Sequence, residues 1–255
     1  MCGRFALTAT PSEVELLFEI AGLEPFPPRY NIAPTQPVLI VRPGPTRNDD
    51  VPSREAALVR WGLIPSWVKD PGAFSLLFNA RSETAAEKPA FRAAMRHRRC
   101  LIPASGFYEW QRRDNGKQPF WISPADGGVV AFAGLWETWM GADGSEMETA
   151  AILTKAASPD LATIHPRMPV TLSPDLFGAW LDPLAEPRHV ADAFVGGSTS
   201  SYVAVPVGDQ VNAARNDGPD LQHHVEDKGA GRADSDPPKK DPPAAKAAGG
   251  QLDLF

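Results

Sequence analysis

Apolar positions follow two rhythms along this chain. Thr10-Pro11-Ser12-Glu13 forms a capping box with proline at the first helical position, and Val14, Leu17, Phe18 and Ala21 follow at helical spacing before Gly22. That pattern predicts a helix of about three turns. Elsewhere the apolar runs are short. Residues 38–41, 57–61, 100–102, 129–135 and 150–153 are bounded mainly by Gly, Pro or polar residues and have the length of strands. Asn115-Gly116, between 107–112 and 119–122, is a dipeptide whose preferred turn matches strand twist, and it predicts a hairpin. Two further helices are predicted over 89–97 and 174–181. No internal repeat is present, and short strands with peripheral helices make an α+β class.

Composition changes this picture at the C-terminal end. The chain has 27 prolines in 255 residues, roughly double the usual share of about 5%. From 216 to 250 it is mostly Asp, Pro, Lys, Ala and Gly, too poor in large apolar side chains to offset ordering entropy. The reading is a body over 1–219, a disordered linker over 220–250 and a terminal peptide over 251–255. In that peptide, Gln251-Leu252-Asp253-Leu254-Phe255, three large apolar side chains return at the tip of an unstructured tail, which points to docking on a partner.

Charge and cysteine content narrow the function. Lys plus Arg number 25 against 31 Asp plus Glu, a net of −6, the wrong sign for a protein held to nucleic acid by a bulk basic surface. Any nucleic-acid site must therefore be local. The densest positive cluster is Arg92, Arg96, His97, Arg98 and Arg99. Cys2 and Cys100 are the two cysteines, so a disulfide framework and a four-cysteine zinc site are excluded, as suits a reducing cytosol. No apolar run approaches the ~20 residues that span a bilayer, and no signal-peptide segment opens the chain. Neither histidines nor cysteines have ligand spacing, so no metal or organic cofactor is expected.

Cys2 carries the most chemistry. Once initiator Met1 is removed, its free α-amine and thiol form a 1,2-aminothiol, which condenses with aldehydes: the amine makes an imine and the sulfur closes a five-membered thiazolidine. Reference pKa values of about 7.7 to 8.0 for the amine and about 8.5 for the thiol leave a reactive minority of each near neutral pH. By position alone Cys2 also reads as a chance residue behind the start. Taken singly, Glu109 reads as the solvent-facing residue of an alternating strand, His165 as a satisfied loop or core histidine, and Asn79 as a turn or cap residue.

Six phrases alter that balance: MCGRF at 1–5, RYNIAP at 29–34, WGLIPSW at 61–67, FNARSET at 78–84, RRCLIPASGFYEW at 98–110 and IHPRMP at 164–169. In this order, and ending with VNAARNDGP at 211–219, they resemble the SRAP family. These are SOS response-associated peptidase-like proteins that crosslink to abasic sites in single-stranded DNA. The resemblance implies one α+β domain built on a curved, mostly antiparallel, barrel-like sheet. It also implies Cys2 as nucleophile, with Asn79, Glu109 and His165 completing the catalytic group. His165 suits the ring opening that exposes the C1′ aldehyde of an abasic deoxyribose. Glu109 suits proton transfer from the Cys2 amine or thiol, and Asn79 suits orientation of the sugar or the new linkage. DNA contacts are implied for Gly3, Arg4, Trp67, Arg81, Thr154 and Arg167, the guanidinium groups taking phosphates and Trp67 wedging or stacking against bases. Trp61 and Cys100 read as core.

The terminal peptide, through Gln251, Leu252, Leu254 and Phe255, resembles the motif by which bacterial polymerases and repair proteins dock on the replication sliding clamp. A linker of about 30 residues has an r.m.s. span of roughly 30 Å, enough for clamp and active site to engage nearby DNA together. The expected setting is a monomer in the cytoplasm at the nucleoid, with abasic single-stranded DNA and the clamp as partners and no membrane association. Two other readings stay open on residues alone: an N-terminal-nucleophile cysteine hydrolase or peptidase, and a non-catalytic clamp-associated DNA-binding module.

Overall fold

A computed structural model describes residues 2–45, 53–114, 116–186 and 201–227. Among the described residues, thirteen strands form two sheets. The first holds β1 (Arg4–Leu7), β2 (Arg29–Ile32), β7 (Gly106–Arg113), β8 (Gly116–Pro124) and β13 (Tyr202–Pro206), in the order β13-β8-β7-β1-β2. The second contains β3 (Pro37–Pro43), β4 (Arg54–Trp61), β6 (Arg99–Ala104), β9 (Val130–Met140) and β10 (Glu146–Ala156). These five close on themselves: β4, β3, β6, β9 and β10 pair antiparallel in turn, and β10 returns to β4 in parallel through Thr149↔Arg60 and Ala150↔Trp61. The short strands β5 (Asn79–Arg81) and β11 (Arg167–Pro169) lie on β10, and β12 (Thr171–Leu172) lies on β9. This is the curved, mostly antiparallel barrel that the family resemblance implied.

The predicted strands 38–41, 57–61, 100–102, 129–135 and 150–153 are the centres of β3, β4, β6, β9 and β10. All six residues of β6 are buried, because helices α3 (Arg92–His97) and α5 (Phe177–Leu181) cover its outer side. The hairpin strands pair from Phe107↔Ile122 to Arg113↔Gly116, while Asn115 lies outside the described residues. Helix α1 (Pro11–Phe18) has the reciprocal Thr10–Glu13 cap but stops short of Ala21, because Glu19 turns into the left-handed region at φ 53°. Phe18 instead stacks on Phe177 of α5, ring centres 5.2 Å apart. The helix placed at 89–97 begins only at Arg92, after a turn in which Lys88 O accepts from Phe91 and Arg92. That placed at 174–181 opens as a tighter 3-10 turn, Pro174–Leu176. Two four-residue helices, α2 (Ser82–Ala85) and α4 (Pro159–Ala162), complete the set.

One boundary differs from the expectation. Residues 220–227, read as the start of a disordered linker, pack on the body together with 216–219. Asp217 accepts from the Tyr30 backbone at 2.5 Å, Leu221 is buried, His224 bridges Val207, and Asp227 pairs with Arg113. Polar anchors replace the apolar burial whose scarcity had argued for disorder. The rest of the linker and the terminal peptide 251–255 lie outside the described residues.

Candidate functional site

Cys2 enters the fold immediately before β1, which is hydrogen-bonded to β2 on one side and β7 on the other. Phe5 fixes β1 against the barrel. Its ring meets Trp61 edge-on at 5.1 Å and Phe132 at 5.9 Å. Trp61 is core, as expected, and donates its indole N–H to Phe78 O. Burying such an aromatic is worth about 1.5–3 kcal/mol, so the strand that carries Cys2 is firmly held.

Three side chains converge on this chain end from different elements. Asn79 begins β5, which runs parallel to β10 in the register Asn79↔Ile152, and its Nδ2 donates to the carbonyl of Cys2 at 2.7 Å. The Asn79 Oδ1 is enclosed and has no hydrogen-bond partner among the described residues, leaving an acceptor beside Cys2. Glu109 lies in mid-β7. Alternation sends Tyr108 to the outer face, where its hydroxyl bonds Tyr30 O at 2.8 Å, and Glu109 to the inner one. At 3% exposure Glu109 is not the solvent-facing residue that alternation alone suggests. Both faces of β7 are covered, the outer by Val207 and Val211, which pack with Tyr108 and Trp121. His165, between α4 and β11, places Nδ1 3.7 Å from Glu109 Oε1.

The electrostatics follow from burial. The Glu109 carboxyl is raised to about 7, first by desolvation and against the pull of the positive amino terminus. The Cys2 thiol, fully enclosed, is pushed well up by desolvation and then by the Glu109 charge. His165 is lowered, chiefly by desolvation. Its Nδ1 lies 3.1 Å from both the N–H and the carbonyl oxygen of Arg167, accepting from the first in one tautomer and donating to the second in the other. At neutral pH the site thus combines a neutral thiol, a neutral imidazole and a carboxyl near its midpoint. Cys100 is buried in the core, its thiol also pushed up by desolvation.

The residues implied as DNA contacts fare differently from one another. Trp67 is 59% exposed and braced edge-on by Phe74 at 5.7 Å. Arg81 is exposed at the end of β5 and forms no ion pair among the described residues. Gly3 is half-buried beside Cys2. Thr154, by contrast, is fully buried in β10 and accepts from Arg167 through its carbonyl at 2.5 Å and its hydroxyl at 3.3 Å. Arg167 grips Glu83 through both guanidinium ends at 2.5 and 2.9 Å. Arg4 donates to the carbonyls of Val211 at 2.7 Å and Asn212 at 3.3 Å.

Sequence reasoning missed two supporting residues. Glu83 sits inside the FNARSET phrase, and only the fold brings it to Arg167. Asn31 in RYNIAP is buried, and its Nδ2 reaches the carbonyls of Val211, Ala213 and Asn216 at 2.9–3.2 Å. A polar residue in an apolar strand was the available signal. A cavity of about 590 Å³, lined by Phe26, Leu39 and Leu58 among others, holds none of the four catalytic candidates.

Known proteins match both the sequence and the fold. A model of the SOS response associated peptidase (SRAP) family covers residues 1–214. The abasic site processing protein YoqW of Bacillus subtilis is 36% identical over 226 residues, spanning 87% of this chain and 98% of that protein. YedK of Escherichia coli, named likewise, is 32% identical over 87% of this chain and 98% of its own length. HMCES of Xenopus tropicalis, also an abasic site processing protein, is 30% identical over 86% of this chain and 77% of its own. Among solved structures, a Bordetella bronchiseptica protein matches with a TM-score of 0.69 at 28% identity, over 81% of this chain and all of that one. A Bacteroides thetaiotaomicron protein shares the fold at 0.76, with 23% identity, over 88% of this chain and all of that one.

Proposed function

The chain belongs to the SRAP family, and from that premise we propose that it processes abasic sites by capturing them covalently in single-stranded DNA. The observation that carries this reading is the convergence of Asn79, Glu109 and His165 on the second residue of the chain. With Met1 removed, Cys2 presents both amine and thiol there. The closed sugar opens as the C1′ hydroxyl proton is relayed to the ring oxygen through His165. The Cys2 amine adds to the aldehyde and water leaves, giving an imine. The thiol proton passes to Glu109 as sulfur bonds to C1′, and a proton returns to nitrogen, so the products are one thiazolidine and one water.

Burial supports this order of events. A thiol held neutral is a poor nucleophile toward stray electrophiles. It becomes useful when a base stands beside it and a cationic imine is in place. Asn79 holds the Cys2 carbonyl, and its open Oδ1 is suited to the amine or to the new ring nitrogen. Arg81, Arg167 and Arg4 supply the local positive charge that a net of −6 requires. Neutralising about three phosphates on one strand gives log K a slope of roughly −2 against log salt. The peptide 251–255 is part of the same proposal as a tether to the sliding clamp: its deletion abolishes clamp pull-down and leaves crosslinking intact.

The deciding experiment incubates the protein, with Met1 removal verified by mass spectrometry, with a single-stranded oligonucleotide bearing one abasic site. A heat-stable shifted band on a denaturing gel, absent from Cys2→Ala, is expected. No band from correctly processed protein overturns the proposal.

A further inference from the structure

Capture at Cys2 leaves one face of the β7–β8 hairpin unused. Cross-strand partners share a face, so Trp110 with Pro119 and Arg112 with Lys117 point the same way, opposite to Glu109. Arg112 and Lys117 are like charges set directly across from one another, an arrangement that costs stability. Both are exposed, and neither has an ion pair among the described residues. Arg113, on the other face, is matched by Asp227. The fold therefore neutralises one cation of this hairpin and leaves two facing each other.

Beside them lies a cleft of about 380 Å³ lined by Arg4, Trp110, Lys117 and Asn212, with no carboxylate among them. The Trp110 indole is fixed in advance, donating Nε1–H to Asn212 Oδ1 at 2.8 Å, while the Asn212 carbonyl holds Arg4. Through Arg4, which opens β1 two residues after Cys2, the cleft lies next to the strand that follows the Cys2 site. Burial is the main cause of the lowered His165 pKa, but the Arg112 charge contributes.

We propose that this face is a subsite for nucleotides flanking the abasic position, with a base stacked on Trp110 and a backbone phosphate between Arg112 and Lys117. Every base has a π-face, so a rigid indole takes any sequence. A phosphate between two facing cations converts their repulsion into two charge-assisted bonds. The inference rests on the capture reading for its substrate, yet it is measured without that chemistry.

The test is fluorescence anisotropy with a labelled, lesion-free single strand of about fifteen nucleotides, using the full chain. Replacing both cations, in Arg112→Ala/Lys117→Ala, is expected to reduce the slope of log K against log salt by about 1.4. Trp110→Ala is expected to lose about tenfold in affinity and Trp110→Phe to keep most of it. Unchanged slope and affinity in the double variant overturn the subsite. So does a Trp110→Phe variant as weak as Trp110→Ala with an unchanged melting temperature. A wild-type chain that shows the expected slope change but forms no adduct with abasic DNA removes the capture reading and leaves the subsite standing.

Discussion

Asn79 hydrogen-bonds the carbonyl of Cys2 at 2.7 Å across 77 residues of sequence, tying the reactive end of the chain to the barrel. Removing the amide loses a bond worth about 0.5–1.5 kcal/mol and frees the Cys2 backbone. Asn79→Ala is therefore expected to slow adduct formation about tenfold while melting within a few degrees of wild type. Asn79→Asp, which sets a carboxylate against the carbonyl oxygen, is expected to be slower still. Single-turnover gel kinetics separate the three proteins.

The pH profile should report Glu109. As a proton acceptor it must be ionised, so the capture rate is expected to rise with pH through about 7, and that inflection should vanish in Glu109→Gln. Stability moves the opposite way. A carboxyl whose folded pKa lies above its unfolded value binds more protons in the folded state. Its favourable contribution is full below about pH 4.3 and is lost as pH rises through about 7, by up to about 4 kcal/mol. Urea titrations at several pH values should show this slope in the wild type and not in Glu109→Gln.

Under the proposed function, Glu83 is a rival of DNA for the Arg167 guanidinium. Its pKa is lowered first by the Arg167 hydrogen bonds, and as a surface ion pair it adds under about 1 kcal/mol of stability, present above the unfolded carboxylate pKa and lost in acid. Glu83→Gln is expected to tighten single-stranded DNA binding about threefold at low salt and to steepen the salt slope by about 0.7, measured by anisotropy.

Gly106, where the chain passes between the two sheets, has no room for a side chain. A Cβ there would lie 2.5 Å from Ile122 O and 2.6 Å from the Trp121 ring. Neither the strand backbone nor the packed indole can retreat, so Gly106→Ala is expected to cost about 1–3 kcal/mol. Thermal unfolding should show a clear drop in melting temperature.

The barrel was legible where burial is two-sided. Strand β6 reads as a continuous apolar run because helices and barrel cover both its faces. Glu109 was legible only through the phrase around it, since His165, which faces it on the inner side of β7, comes from a distant part of the chain. The ordered segment 220–227 was missed for a related reason: its hold on the body runs through one buried apolar residue, Leu221, and through Asp227, and such a stretch carries no periodic sign of burial. Likewise Arg167 reads as a free phosphate ligand until the fold brings Glu83 to it.

Chain ends usually fray, and a nucleophile on a frayed end must be immobilised each time it reacts. Here the first strand is an inner one, flanked by β2 and β7. The entropy of ordering Cys2 is therefore lost once, during folding, and the proposed capture would begin from an amine and a sulfur whose orientation the sheet has already chosen.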